Sequence, residues 1–291
     1  MAKKPLTYNK EYVAAGVGYA SGLLTGILIM GALALTAEGA DPNVIVLSDR
    51  NTVALRLPMT PETVTHVQKE LIKKAQNGAK DIYLVLNSPG GSISSGKLLI
   101  ETAKGLGARV HTISMFSASM SFITSQGLGK RYAMSSSTLM SHRAFAGGLE
   151  GQVPGSLLSQ VNGLMADIWE IEEMVSKRAG ISHDTYGNLI QDELWMTGNV
   201  AKKMGFVDEV VHIRCGKSLN GDAEPIELKM LIFDLSVVFP KCPLLEQPSS
   251  ISAAGSKNTK ESINMYNKFL EATAPANVLS RWKAQNNASF R

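Results

Sequence analysis

The chain has 291 residues, of which 44% are hydrophobic and 19% are charged, so it can bury a sizeable core and does not have the composition of a disordered protein. Its 29 basic and 25 acidic residues leave a net charge of +4, which gives no basic face for nucleic-acid binding. Two cysteines exclude a disulfide scaffold, and the five histidines lack metal-ligand spacing, so we expect no metal and no other cofactor.

Residues 1–40 contain a long uncharged apolar run. The run covers Tyr12–Ala37, 26 residues, and follows Lys3, Lys4 and Lys10. Because roughly 20 apolar residues cross a bilayer, the run predicts a single-pass membrane anchor through residues 12–37. The basic residues before it place the N-terminus in the cytoplasm and the rest of the chain outside. A signal peptide cut after Ala32-Leu33-Ala34, which would release a secreted protein, is the alternative, and a buried soluble helix is a third.

Residues 44–214 alternate between strand-like and helix-like segments. The predicted strands are Thr52–Leu57, Asp81–Asn87, Val110–Met115, Arg131–Met134, Thr138–Ser141 and Phe206–Val211. A first helix starts at Thr60-Pro61-Glu62 and ends at Asn77-Gly78, because threonine caps a helix and proline suits its first turn. The other predicted helices include Leu98–Ala103, a short one after Ser119, and 154–179, 183–191 and 197–204. Repeated strand–helix–strand units predict an α/β domain whose strands pair in parallel through right-handed crossovers.

Residues 215–291 have a different character. Apolar stretches at Leu228–Leu235 and Val237–Phe239 precede a Ser-rich polar segment, Ser249–Lys260, which has the composition of a linker. A helix broken near Pro275 is predicted over 261–283. We interpret this zone as a partly disordered C-terminal appendage with little chemistry of its own. The spacing of Cys215 and Cys242 is not diagnostic: the two can pair with each other or stay free, and we expect free thiols.

Three short segments of the middle zone carry candidate chemistry. Gly90-Gly91 follows a strand and opens a helix, so its backbone N–H groups are exposed to a ligand or an oxyanion. Ser119 lies between a strand and a helix, where a nucleophile can be presented beside the N–H of Met120. His142 ends an apolar run and is a candidate base. Each segment alone is more often structural, and only their combination in this order indicates catalysis.

The combination resembles the proteolytic subunit of the Clp protease, in the Clp/crotonase fold group. The similar segments are Asn87–Ser92, Ala118–Met120, Met140–His142 with Gly147-Gly148, and Glu193–Thr197 with Ala201, Gly205-Phe206 and Asp208. They span about 52–212, which leaves the first and third zones outside the resemblance. The implied fold is α/β, built from repeated β-β-α units with a parallel sheet and preceded here by an N-terminal hydrophobic helix.

The resemblance implies a serine endopeptidase that hydrolyses peptides or unfolded proteins through an acyl-enzyme intermediate. It assigns Ser119 as nucleophile, His142 as its general base, and the N–H groups of Gly91 and Met120 as the oxyanion hole. Glu193 stands where the family has aspartate, so Glu193 is the expected triad acid and the adjacent Asp192 is the alternative.

The resemblance also implies partners. In the family, the segment here at about 145–178 forms a strand–helix handle that joins two rings of seven, so a homo-oligomer of stacked rings is expected. An ATP-dependent unfoldase would be a partner in the cytoplasm, whereas an exported domain would act on peptides or unfolded chains without one.

Two other classes of function use the same fold. A membrane-anchored signal-peptide-degrading peptidase would use a Ser–Lys dyad, with Lys97 or Lys130 as the base, although neither lysine lies in a recognisable dyad motif. A non-proteolytic scaffold or an acyl-thioester enzyme is the other class. The presence of both Ser119 and His142 argues against the scaffold, which has no chemical use for them.

Overall fold

The computed structural model of the protein describes residues 43–146, 148–230, 233–256 and 258–286. The apolar run Tyr12–Ala37 lies outside these ranges, so the predicted membrane anchor stays a prediction. Within the described ranges, no helix has both the length and the apolar character needed to span a membrane.

Strands and helices alternate along most of the described chain. The strands are β1 (Val44–Leu47), β2 (Thr52–Leu55), β3 (Asp81–Ser88), β4 (Arg109–Ala118), β5 (Arg131–Ser141), β6 (Leu194–Thr197), β7 (Glu209–Val210), β8 (His212–Cys215), β9 (Ile226–Lys229), β10 (Asp234–Val238) and β11 (Ser250–Ala253). The helices are α1 (Pro61–Gln76), α2 (Ile93–Lys104), α3 (Met120–Gln126), α4 (Ser156–Ala179), α5 (His183–Leu189), α6 (Gly198–Lys203), α7 (Thr259–Thr273) and α8 (Ala276–Gln285).

The central sheet has the order β2-β3-β4-β5-β6, with β7 paired to β5. Strands β2 to β5 are parallel and are joined by α1, α2 and α3, whereas β6 runs antiparallel to β5. The predicted α/β architecture with a parallel sheet is therefore confirmed. Parallel strands that share one direction bring all their carboxyl ends to one edge, and this edge carries the predicted catalytic segments.

Helix α1 forms for the reasons that the sequence indicates. The hydroxyl of Thr60 accepts a hydrogen bond from the N–H of Thr63, and the Thr63 hydroxyl accepts one from the N–H of Thr60. This reciprocal cap satisfies two donors that the first helical turn leaves unpaired. The buried Val64, Val67 and Leu71 recur at helical spacing and pack in the main core against the central sheet.

Some predicted boundaries differ from the observed ones. The two short strands predicted around a Ser-rich turn are one continuous strand, β5, whose pairing with β4 shifts register between Ser114 and Phe116. This irregularity accommodates the extra residues of β5 without ending the strand. The Ser-rich stretch, which predicts a turn, therefore stays in the sheet. The strand predicted over Phe206–Val211 is reduced to β7, and the unpredicted β1 pairs in parallel with β8.

The described part of 215–291 corrects the prediction of a partly disordered appendage. Strands β9, β10 and β11 form an antiparallel sheet, and β11 lies within the segment interpreted as a linker. In β11, Ile251 is buried, whereas the serines on either side of it are exposed. The Ser-rich composition hid this strand-like alternation in the sequence. The helix predicted to break near Pro275 is observed as α7 and α8.

This C-terminal segment shares a core with the central sheet. Phe269 and Trp282 from its helices are buried in one apolar cluster with Phe116 of β4 and Met140 of β5. Cys215 and Cys242 form a disulfide with their Cα atoms 5.8 Å apart, which corrects the expectation of free thiols. Their spacing of 27 residues carried no signal, because the fold of the intervening segment is what brings them together.

Candidate active site

Ser119 lies on the sharp turn between β4 and α3, at the carboxyl edge of the parallel strands. Its φ of 53° is a conformation that residues other than glycine rarely adopt. Its N–H donates to the carbonyl of Met140 at 2.9 Å, which ties the turn to the neighbouring strand. The Ser119 hydroxyl makes no capping hydrogen bond to α3, so it is available for chemistry.

Two glycines allow another loop to approach this turn. Gly90 has a φ of 89°, and a Cβ added there would lie 2.5 Å from the carbonyl oxygen of Ala118 and 2.7 Å from the Cβ of Ser119. A Cβ on Gly91 would lie 2.5 Å from the carbonyl oxygen of Met59. Both contacts are closer than atoms tolerate, so only glycine brings this backbone beside the serine.

His142 directly follows β5 at the same edge of the sheet. The pairing of Ala118 with Met140 aligns the ends of β4 and β5, so the residues beyond them lie close together. The Nε2 atom of His142 lies 2.8 Å from the Oγ atom of Ser119. This distance is within the range in which a general base takes a proton. The structure thus brings together the predicted nucleophile and the predicted base.

The surroundings of His142 keep its ring uncharged. Burial lowers the pKa of His142 below its ordinary value of 6.5, and the nearby negative charge of Glu193 offsets part of this shift. A histidine with a lowered pKa is neutral at pH 7, so its Nε2 can accept the serine proton.

The predicted oxyanion donors also lie at this site. Met120 is the first residue of α3, and its N–H therefore has no acceptor within the helix. Met59 donates to the carbonyl of Gly90 and accepts from the N–H of Ser92, so the N–H of Gly91 between them points away from Met59. Gly91, Met120, Ser119 and His142 all line one cavity.

The cavity beside Ser119 has a volume of 190 Å³ and a mostly apolar wall. Besides Met120 and Ala144, the apolar residues that line it are Ile93, Ile123, Phe145, Ile168, Ile171, Ile190 and Pro275. Pro275 belongs to the C-terminal segment, whereas the other six come from the catalytic domain. A pocket of this kind suits an apolar side chain next to the reacting bond.

The predicted acid is opposite the histidine but is not bonded to it. Strands β5 and β6 pair Ser141 with Leu194, so His142 and Glu193 are the next opposed positions. Glu193 has a φ of 64°, and its carboxylate accepts from the indole N–H of Trp195 at 2.9 Å and from Nδ2 of Asn277 at 2.6 Å. Among the described residues, His142 has no hydrogen bond to Glu193.

The alternative acid is no better placed. Asp192 is exposed, and within the described ranges it makes no hydrogen bond or ion pair with His142. The electrostatic effect on the histidine comes from Glu193 instead. Neither candidate carboxylate therefore contacts the imidazole in this structure, and only Glu193 influences its charge.

The two lysines of the dyad alternative are engaged elsewhere. Lys97 lies 2.5 Å from Asp167, and Lys130 lies 3.1 Å from Glu209. These hydrogen bonds raise the pKa of each lysine, whereas a catalytic lysine needs a lowered pKa. The structure does not bring either lysine to Ser119.

Sequence reasoning missed the contribution of the C-terminal segment to this site. Asn277 contacts Glu193 from 84 residues further along the chain, and the indole N–H of Trp282 donates to the Oδ1 atom of Asn87 at 3.0 Å. The guanidinium of Arg281 lies 4.1 Å from the centre of the Trp195 ring. No motif marks these residues, and the apolar periodicity of 261–283 was the one signal that this segment packs against something.

Comparison with protein-family models identifies the family of this chain. The model described as Clp protease matches residues 38–214, more than half of the chain. The matched range contains Ser119, His142 and Glu193, and it ends before the C-terminal segment.

Proposed function

The chain belongs to the Clp protease family, and from this premise we propose that it is a serine endopeptidase acting on peptides or unfolded proteins. The observation that carries the proposal is the 2.8 Å contact between the Oγ atom of Ser119 and the Nε2 atom of His142. The backbone donors beside the serine support the same chemistry, because acyl transfer needs stabilisation of an oxyanion.

The mechanism starts with proton transfer. Ser119 Oγ attacks the carbonyl carbon of the scissile peptide bond while His142 Nε2 takes its proton. The oxygen of the tetrahedral intermediate accepts hydrogen bonds from the N–H groups of Gly91 and Met120. The carbon–nitrogen bond then breaks, and His142 gives its proton to the leaving amine. An acyl ester on Ser119 remains.

Water completes the cycle by the reverse route. His142 takes a proton from the water, which attacks the ester carbonyl, and the second oxyanion uses the same two donors. The ester bond breaks, the proton returns to Ser119, and the product leaves as a carboxylic acid, which loses its remaining proton to solvent. Both steps place a positive charge on His142, which a nearby carboxylate stabilises. Glu193 is the proposed carboxylate, because it faces the histidine and its negative charge raises the pKa of His142.

The apolar cavity beside Ser119 suggests the substrate preference. Its volume of 190 Å³ and its isoleucine-rich wall fit one branched or aromatic side chain. We therefore expect cleavage next to an apolar residue, in segments extended enough to reach the sheet edge. Unfolded chains and short peptides meet that condition.

Both the family and the exposed surface of α4 favour a homo-oligomer. Clp proteases commonly form rings, and α4 in the predicted handle exposes Leu158, Met165 and Trp169, each more than half accessible. Large apolar residues clustered on one exposed helix indicate a protein contact. We propose that α4 contributes to a contact between copies of this chain.

Export of the catalytic domain is the proposed location, with residues 12–37 as the anchor. The disulfide between Cys215 and Cys242 supports this, because disulfides persist in oxidising compartments outside the cytoplasm. A domain placed there would work without an ATP-dependent unfoldase. A topology reporter fused after residue 286 tests this, and reporter activity in the cytoplasm would refute export.

Labelling with a fluorophosphonate probe tests the central proposal, because only an activated serine reacts. The full chain should be labelled, and Ser119→Ala should not be. The exposed Ser280→Ala is the matched control and should label as the wild type does. Labelling that persists in Ser119→Ala would overturn the assignment.

A further inference from the structure

Helix α8 of the C-terminal segment is docked directly beside the catalytic residues, although it lies outside the family match. Trp282 is 3% exposed and donates to Asn87, which immediately precedes the loop carrying the oxyanion glycines. Arg281 covers the ring of Trp195. These contacts fix the start of α8 next to β6, where Asn277 reaches Glu193.

The Glu193 carboxylate is held by two donors that come from different parts of the chain. Trp195 is on β6, two residues after Glu193, and donates to Oε2, whereas Asn277 is on α8 and donates to Oε1 at 2.6 Å. The Oε1 bond is short for a neutral donor, as bonds to a carboxylate are. Glutamate has one more rotatable bond than the aspartate of the family, so its carboxylate needs more support to stay in one place.

We propose that Asn277 is a positioning residue, which holds the Glu193 carboxylate close enough to His142 for its negative charge to act on the imidazole. This inference rests on the proposed function, because Glu193 matters only if His142 is the base. Each carboxylate oxygen accepts more than one hydrogen bond, so the bond from Asn277 leaves Oε1 able to accept from the imidazole as well. Without Asn277, the half-exposed carboxylate moves toward water and its effect on the histidine weakens.

Displacement of the Glu193 carboxylate should change the pH dependence of activity. Burial lowers the pKa of His142 and Glu193 raises it, so loss of Glu193 from its position lets the pKa fall further. The acidic limb of the kcat/KM profile follows the pKa of the free-enzyme base. It should therefore move to lower pH in Asn277→Ala, in the same direction as in Glu193→Gln and by a smaller amount.

The experiment is a double-mutant cycle on the full chain with a chromogenic peptide ester or amide as substrate. Asn277→Ala should lower kcat about 2- to 10-fold, the range of one hydrogen bond, with little change in KM. In the Glu193→Gln background, Asn277→Ala should cause no further loss, because its partner charge is gone. Lys268→Ala, at an exposed position on α7, is the control and should change neither kcat nor the pH profile.

The outcomes separate the inference from the function on which it rests. An unchanged or raised kcat in Asn277→Ala, a limb that moves to higher pH, or full additivity with Glu193→Gln would each overturn the positioning role. A raised kcat would mean that Asn277 holds the acid away from the histidine. If Ser119→Ala keeps its activity, the proposed function itself fails, whatever Asn277 does.

Discussion

Trp282 donates its indole N–H to the Oδ1 atom of Asn87 at 3.0 Å, across 195 residues of sequence. This bond joins the C-terminal segment to the end of β3, which leads into Gly90 and Gly91. The indole itself is buried in the core that the C-terminal segment shares with β4 and β5. The C-terminal segment is thus a structural part of the catalytic domain.

Removing the Trp282 side chain should destabilise the whole domain. Trp282→Ala should lower the free energy of unfolding by about 3–5 kcal/mol, because a large buried side chain leaves a cavity. Trp282→Phe keeps most of the packing and loses the hydrogen bond to Asn87, so a loss of about 1–3 kcal/mol is expected. Urea unfolding followed by circular dichroism measures both. The exposed Leu98→Ala should stay within about 0.5 kcal/mol of wild type, and an equal effect in all three variants would contradict shared packing.

Ser119 and His142 should act as one catalytic unit. Each of Ser119→Ala and His142→Ala should lower kcat by about 10⁴-fold or more, and the double variant should be no worse than either. Lys97→Met and Lys130→Met should keep near wild-type turnover, because both lysines are bonded to carboxylates away from the serine. Steady-state peptide hydrolysis is the measurement. Retained activity in His142→Ala combined with loss in either lysine variant would favour the dyad.

Glu193→Gln should lower turnover far more than substrate affinity, because the imidazolium that Glu193 stabilises exists only after proton transfer. The expected loss in kcat is ~10²–10³, less than the ~10⁴ of a triad whose acid is fully bonded to the base. Asp192→Asn should have little effect, since Asp192 is exposed and does not contact His142. The two variants are assayed side by side, and a larger loss in Asp192→Asn would reverse the assignment.

The activity of the wild type should persist below pH 6.5. His142 must be neutral to accept a proton, and burial lowers its pKa beneath its ordinary value of 6.5. Its protonation, and with it the loss of kcat/KM, therefore sets in at lower pH than for a free histidine. The rate of fluorophosphonate labelling as a function of pH measures this directly. A midpoint above 6.5 would show that Glu193 outweighs burial.

The Cys215–Cys242 disulfide should stabilise the domain without taking part in catalysis. It closes a loop of 27 residues, so Cys215→Ser with Cys242→Ser should lower the free energy of unfolding by about 2–4 kcal/mol. Turnover at a temperature where the variant is folded should be unchanged. Thiol titration before and after reduction supplies the control, and free thiols in the unreduced protein would contradict the bond.

The sequence predicted the catalytic domain well because its signals are local. The cap at Thr60, the apolar strands and the glycine pair at 90 and 91 each indicate structure through neighbours within a few residues. Serine and histidine segments that follow successive parallel strands must meet at one sheet edge, so topology alone brings Ser119 near His142.

Two features are decided by the tertiary structure alone: the hydrogen-bond partners of Glu193 and the packing of the C-terminal segment. Glu193 is assigned by its place at the start of the segment Glu193–Thr197, but its hydrogen-bond partners include Asn277, which no local pattern connects to it. The same holds for the cysteine pair and for Trp282 with Asn87. Local patterns determine which residues form strands, turns and helices, whereas contacts over tens to hundreds of residues depend on how whole faces pack, and that information is spread over the entire chain.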